Sequence, residues 1–279
     1  MMRRYSVARA LFANPLSLIG LLIWGALALG AVLAPWLSPY SMGDVFAPML
    51  PPSADHPLGT NDLGYDLWTE LLQGARFSLL LSALAATGST ALGLMLGLVA
   101  GYFERAGFVI LRVVDVFLSV PRFVLIVLMA AFVRPGFGAL LVFFILFGWP
   151  AVTRVIYAHV RGERQCEYVE AARLIGAGDI HILRKHLLPA SLPIAFVRLV
   201  SEMQHVIMAE SGLSFLGLGD PTAQSWGMTA AHAMRYPALL LTDVWRWWML
   251  PPGMAITLTC TALVLVGLTL DRLANPRLR

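Results

Sequence analysis

The chain has 279 residues, of which 58% are hydrophobic and 13% charged, with a formal net charge of +4 at pH 7. At a mean hydropathy of +0.75, a water-soluble domain of this length could not hide so much apolar surface, and the bilayer is the expected solvent. Lys185 is the sole lysine and the arginines form no dense run, so nothing points to nucleic acid.

In chain order, Arg3, Arg4 and Arg9 precede a first apolar run from Pro15 to Trp36. That run is too long for the apolar part of a secretory signal and leads to a proline rather than a small-residue cleavage site, which predicts a retained helix. A spanning helix needs roughly 20 mostly apolar residues. Six stretches qualify: Leu16–Leu37, Ser78–Tyr102, Phe108–Val133, Gly136–His159, Leu192–Leu216 and Trp248–Leu270. Pro121 interrupts the third and Pro150 the fourth, where neighbouring helices must re-satisfy freed carbonyls. In the second, Gly93, Gly97 and Gly101 recur every fourth residue, a small-residue face suited to close helix packing.

Basic residues orient the spans. Besides the first three arginines, Arg105, then Arg161, Arg164, Arg173, Arg184 and Lys185, and finally Arg272, Arg277 and Arg279 fall on one side if six crossings leave both termini in the cytoplasm. From Ser38 to Ala75 there is no Lys or Arg, while Asp44, Asp55, Asp62, Asp66 and Glu70 are present. In the last external loop Arg235 and Arg246 stand against Asp220 and Asp243, a mild exception. Trp36, Trp247 and Trp248 read as interfacial anchors.

Cys166 falls in a predicted cytoplasmic loop and Cys260 in an apolar run, which predicts neither a disulfide nor a zinc site. His56 and Glu70 are too isolated to count as metal ligands, and His56 before Pro57 reads as loop structure. Within the spans, Arg112 and Asp115 are three apart, and Arg198, Glu202 and His205 follow at four and three, a pattern that predicts pairing along one helix face.

Between the fourth and fifth spans, Glu163–Ile175 reads as an amphipathic helix with Val169, Ala172 and Ile175 on its apolar side. Gly176 is placed to cap it, Asp179 to begin a second short helix, and Pro189 to stop that helix before the membrane. By themselves these features also suit a plain solvated loop.

Glu170-Ala171-Ala172, then Gly176, then Leu188-Pro189 has the spacing of the "EAA loop" of bacterial ABC importer permeases. His56-Pro57-Leu58-Gly59-Thr60-Asn61-Asp62-Leu63-Gly64-Tyr65-Asp66, followed by Gly74-Ala75-Arg76-Phe77-Ser78-Leu79, is similar to "HPLGTDxxGRD…GARxSL" in the second permease of dipeptide, oligopeptide and nickel importers. Glu210 through Gly219 resembles that branch's "E-x-x-LSFLGLG", Lys185-His186-Leu187-Leu188-Pro189 its "R-H-x-L-P", and Asn275-Pro276-Arg277-Leu278-Arg279 its "DPRLR". Tyr65, Leu268 and Asn275 depart from the pattern, at positions usually occupied by arginine, aspartate and aspartate.

The resemblance implies an all-α membrane protein with six transmembrane helices in the type I permease fold. It divides the chain into 1–77, a first helix plus external segment, and 78–279, a five-helix core with the EAA loop at 161–190. It further implies coupling to an ATPase through Glu170, Ala171, Ala172, Gly176 and Ala177, and a pathway or gate role for Glu210, Ser214 and Phe215. The implied partners are a second permease, two ATP-binding subunits, an external substrate-binding protein and a peptide or nickel substrate, in the bacterial inner membrane. No G-x-x-x-x-G-K-[ST] occurs, because Lys185 follows Leu183-Arg184. ATP and magnesium are therefore expected on partner subunits, with no cofactor or metal held by this chain. An ion-driven secondary transporter would instead show repeated halves with interrupted helices, and no such repeat is found.

Overall fold

The computed structural model describes residues 12, 14–133 and 136–274. Arg3, Arg4, Arg9 and the Asn275–Arg279 ending lie outside them. Eleven helices carry the described fold: α1 (Pro15–Leu37), α2 (Leu67–Tyr102), α3 (Glu104–Leu118), α4 (Arg122–Phe132), α5 (Phe137–Glu163), α6 (Glu167–Leu174), α7 (Asp179–Ile182), α8 (Leu188–Phe215), α9 (Trp226–Arg235), α10 (Trp245–Trp248) and α11 (Leu250–Ala274).

Five segments are long and apolar enough to cross a membrane: α1, α2, α5, α7 through α8, and the Trp245–Arg272 stretch of α10 and α11. The sixth predicted span is α3 plus α4, which meet at 74°. Proline removes a backbone donor and clashes with the preceding turn. At Pro121 the consequence is an elbow rather than the straight span Phe108–Val133, whereas Pro150 is absorbed within α5. The second span is longer than its apolar core, beginning at Leu67 instead of Ser78, because Asp66 caps the helix by accepting from Thr69 N.

Helix α2 makes its most extensive contact with α5. A Cβ added at Gly93, Gly97 or Gly101 would lie 2.5, 2.6 and 2.6 Å from the Cβ atoms of Val152, Ile156 and Val160. Two rows with a spacing of four thus interlock, β-branched knobs into glycine hollows, and the backbones approach as small residues permit. Asn14 caps α1 and its Nδ2 donates to Thr269 Oγ1 at 2.9 Å, tying the first span to the last.

The segment between α1 and α2 is folded by its own polar side chains. His56 Nδ1 lies 2.9 Å from Asp66 Oδ1, Asn61 Nδ2 donates to Glu70 Oε1 at 3.0 Å, and Asn61 Oδ1 accepts from the amides of Leu63 and Tyr65. His56 and Glu70 thus take part in the hydrogen bonds that fold this segment. Trp248 corrects the anchor reading: it is fully buried against His232 and Tyr236, while Trp36 stays exposed.

Candidate functional site

The loop between the fourth and fifth spans is built on α6. The helix spans Glu167–Leu174, separated from α5 by a short turn rather than starting at Glu163. Val169 and Ala172 are buried in one cluster with Leu98 of α2, Val152, Ile156 and Val160 of α5, Ile182 of α7 and Leu187 just before α8. Gly176, at φ +85°, closes the helix as a Schellman turn: its amide donates to Arg173 O at 2.9 Å and the Ala177 amide to Ala172 O at 3.0 Å.

Ile175 is not on the buried face. It is 86% exposed, beside Leu174 at 89% and Ile180 at 73%. Steps of three residues fall about 60° short of a full turn at about 100° per residue. Two such steps carry Ile175 about 120° away from Val169. The loop therefore offers outward an apolar tip together with the exposed Glu170, Ala171 and Gly176, while Ala172 faces the membrane helices.

Asp179 does not cap α7, because Gly178 occupies that position; its carboxylate instead accepts from Tyr102 Oη at 2.6 Å. Tyr102 ends α2 and also lies under the Arg173 guanidinium, 5.4 Å from its ring centroid. Nor does Pro189 stop the second helix. Leu183–Leu187 forms one π-helical turn, and the helix runs on as α8. The wider turn brings the chain into the first turn of α8, where a proline's missing donor costs least. His186 packs between Tyr168 and His181, with ring centroids 5.8 and 6.0 Å away.

The three residues predicted along the pathway diverge. Glu210 and Ser214 are buried and bonded to each other, Ser214 Oγ donating to Glu210 Oε1 at 2.8 Å. Ser214 Oγ also lies 3.4 Å from Ser225 Oγ at the start of α9. Phe215 is half-exposed on the other side of the helix end, before the Schellman turn at Gly217.

The intramembrane charges pair between helices, not along one face as predicted. Asp115 of α3 pairs with Arg154 of α5. Glu202 of α8 pairs with Arg122 of α4 at 2.7 Å. Arg112 stacks on Phe108, and His205 Nδ1 bonds Ser201 O at 2.7 Å. Arg122 and Arg154 escaped the sequence reading, although an arginine directly after the span-breaking Pro121 was a signal for a polar elbow.

Residues 90–279 match the family described as "Binding-protein-dependent transport system inner membrane component". The chain belongs to that family. Residues 5–52 of this permease additionally match the "N-terminal TM domain of oligopeptide transport permease C". It is 34% identical over 275 residues to a "Putative peptide transport system permease protein" of Brucella abortus, covering 98% of this chain and 91% of that one. It is 35% identical to the "Dipeptide transport system permease protein DppC" of Bacillus subtilis, covering 97% and 85%. A "Putative peptide permease protein" of Brucella suis is 32% identical, covering 97% and 90%. The permease is thus a multi-pass inner-membrane protein with the type I fold of ABC importer permeases.

Proposed function

We propose that this permease carries short peptides inward as one half of a shared pathway with a second permease, supplied by an external binding protein and driven by two ATPase subunits. The cargo reading rests on the peptide permeases it resembles across nearly the whole chain. The coupling reading rests on one observation above all: α6 buries Val169 and Ala172 in a cluster shared with residues of α2 and α5 and with the approach to α8, and ends in an exposed apolar tip, Leu174 and Ile175. An ATPase groove that covers Leu174, Ile175 and Ile180 and engages Glu170 passes its motion toward α2, α5 and α8, because Val169 and Ala172 share a buried cluster with residues of those helices. Glu210, buried beside Ser214, acts in this reading as a polar joint between α8 and α9 near the pathway. ATP and magnesium bind the partner subunits, and this chain supplies no hydrolytic residue. Both termini and the α6–α7 loop face the cytoplasm.

The test uses the assembled importer in proteoliposomes. Glu170→Ala and Leu174→Asp are expected to lower ATP-driven peptide uptake together with ATPase retention, while the permease stays inserted; full uptake in both variants would refute the coupling role. A cysteine at Ala177 should react with an impermeant maleimide in inverted vesicles and not in intact cells; the reverse pattern would refute the orientation.

A further inference from the structure

The elbow between α3 and α4 opens onto a cavity of about 430 Å³ whose walls include Pro121, Arg122, Phe147, Arg198, Glu202 and His205. That is far more than the roughly 30 Å³ of one water. Arg198 lies on α8 six residues inside the predicted span Leu192–Leu216, about 9 Å at about 1.5 Å per residue, within a hydrocarbon core about 30 Å thick. Non-helical backbone at such depth belongs where protein buries it or water reaches it. Ionisable side chains there face the bundle interior or an aqueous path.

The charges in this cavity do not balance. Two guanidiniums face one carboxylate, and Glu202 already receives Arg122 at 2.7 Å. The buried Nε of Arg198 has no hydrogen-bond partner among the described residues. His205, also on the wall, donates its Nδ1–H to the backbone carbonyl of Ser201 at 2.7 Å. Helix α4 begins at this point without a side-chain cap, so its positive end faces the same region. A guanidinium with an unpaired buried nitrogen inside a membrane span is costly unless an anion meets it, and its planar fork suits a carboxylate held by two hydrogen bonds.

We propose that Arg198, with Arg122, is a station for the terminal carboxylate of a peptide in transit, an inference that rests on the peptide-import reading above. Every linear peptide with a free end carries that group whatever its side chains. A station for it grips diverse cargo without reading sequence, and the surplus positive charge repels the peptide's ammonium end.

The experiment uses the complete importer with its binding protein in proteoliposomes. The probes are labelled tripeptides ending in benzoylphenylalanine, one set with a free carboxylate and one amidated. Photolysis during ATP-driven uptake should crosslink the free-acid probe to residues around Pro121 and His205. Arg198→Gln should cut that crosslink about tenfold per peptide delivered, Arg198→Lys should retain much of it, and amidation should reproduce the Gln loss in the wild type. Uptake of the free-acid probe without crosslinking in this cavity would overturn the station, as would a yield unchanged by Arg198→Gln. Equal loss of crosslinking in the Lys and Gln variants would also overturn it, pointing to a carboxylate of the second permease as the partner of Arg198. Wild-type importer that takes up neither probe would overturn the peptide reading itself.

Discussion

Tyr102, the last residue of α2, donates a 2.6 Å hydrogen bond to Asp179, the first residue of the helix that leads into α8. One phenol thus joins the second span to the α6–α7 loop, while Arg173 of the same loop covers its ring. Hydrogen bonds to charged acceptors contribute about 1.5–3 kcal/mol. Tyr102→Phe should keep the ring and lose the link. The expected outcome is a correctly inserted permease whose peptide uptake falls several-fold at near-normal ATP hydrolysis, read by the ratio of transport to phosphate release. An unchanged ratio would remove Tyr102 from the transmission route.

Gly176 separates backbone from side-chain effects. A Cβ there would meet nothing within 4 Å, yet φ is +85°. Replacing it by alanine should cost about 1 kcal/mol from conformation alone. Asparagine visits the left-handed region more readily, so Gly176→Asn should retain more ATPase association than Gly176→Ala in co-purification. Equal losses would mean that a partner, not the turn, demands the glycine.

The α2–α5 seam calls for a double-mutant cycle. Gly97→Val places bulk where a Cβ would already be 2.6 Å from Ile156 Cβ. Overpacking of this kind costs about 1–3 kcal/mol. Thermal unfolding in detergent should show a clear drop for Gly97→Val and a partial recovery when Ile156→Ala is added, whereas additive losses would contradict direct interlocking.

Cys166 offers a pH-dependent probe of the loop. Burial first, then the Glu163 and Glu167 carboxylates, raise its thiol pKa above the ordinary value. The thiolate is the reactive form, so a raised pKa leaves less of it at neutral pH. In a Cys260→Ser background, maleimide labelling should be slow near pH 7 and climb about tenfold per pH unit until the pKa is reached. Glu163→Gln with Glu167→Gln should shift that curve to lower pH, and an unshifted curve would argue against the carboxylates.

Much of this architecture is legible in the chain because its causes are local. Apolar length places the spans, the glycine repeat at 93, 97 and 101 marks the seam, and Gly176 announces the turn that it makes. The misreadings share another cause. Ile175 was assigned to the buried side by counting threes, and Asp179 and Pro189 were given the local roles of cap and stop. The structure gives the first residue an exposed position, the second a long-range hydrogen bond and the third a place after a π turn. Each outcome depends on which neighbours arrive from elsewhere in the chain.

The sequence by itself determined that this is an inner-membrane permease with a glycine-capped loop between its fourth and fifth spans, because hydrophobic length, glycine spacing and the loop motif are properties of adjacent residues. Only the tertiary structure decided which charges meet. Arg122 finds Glu202 and Arg154 finds Asp115 across helices, and Arg198 is left facing a cavity, because electrostatic pairing in a membrane follows distance through space rather than separation along the chain.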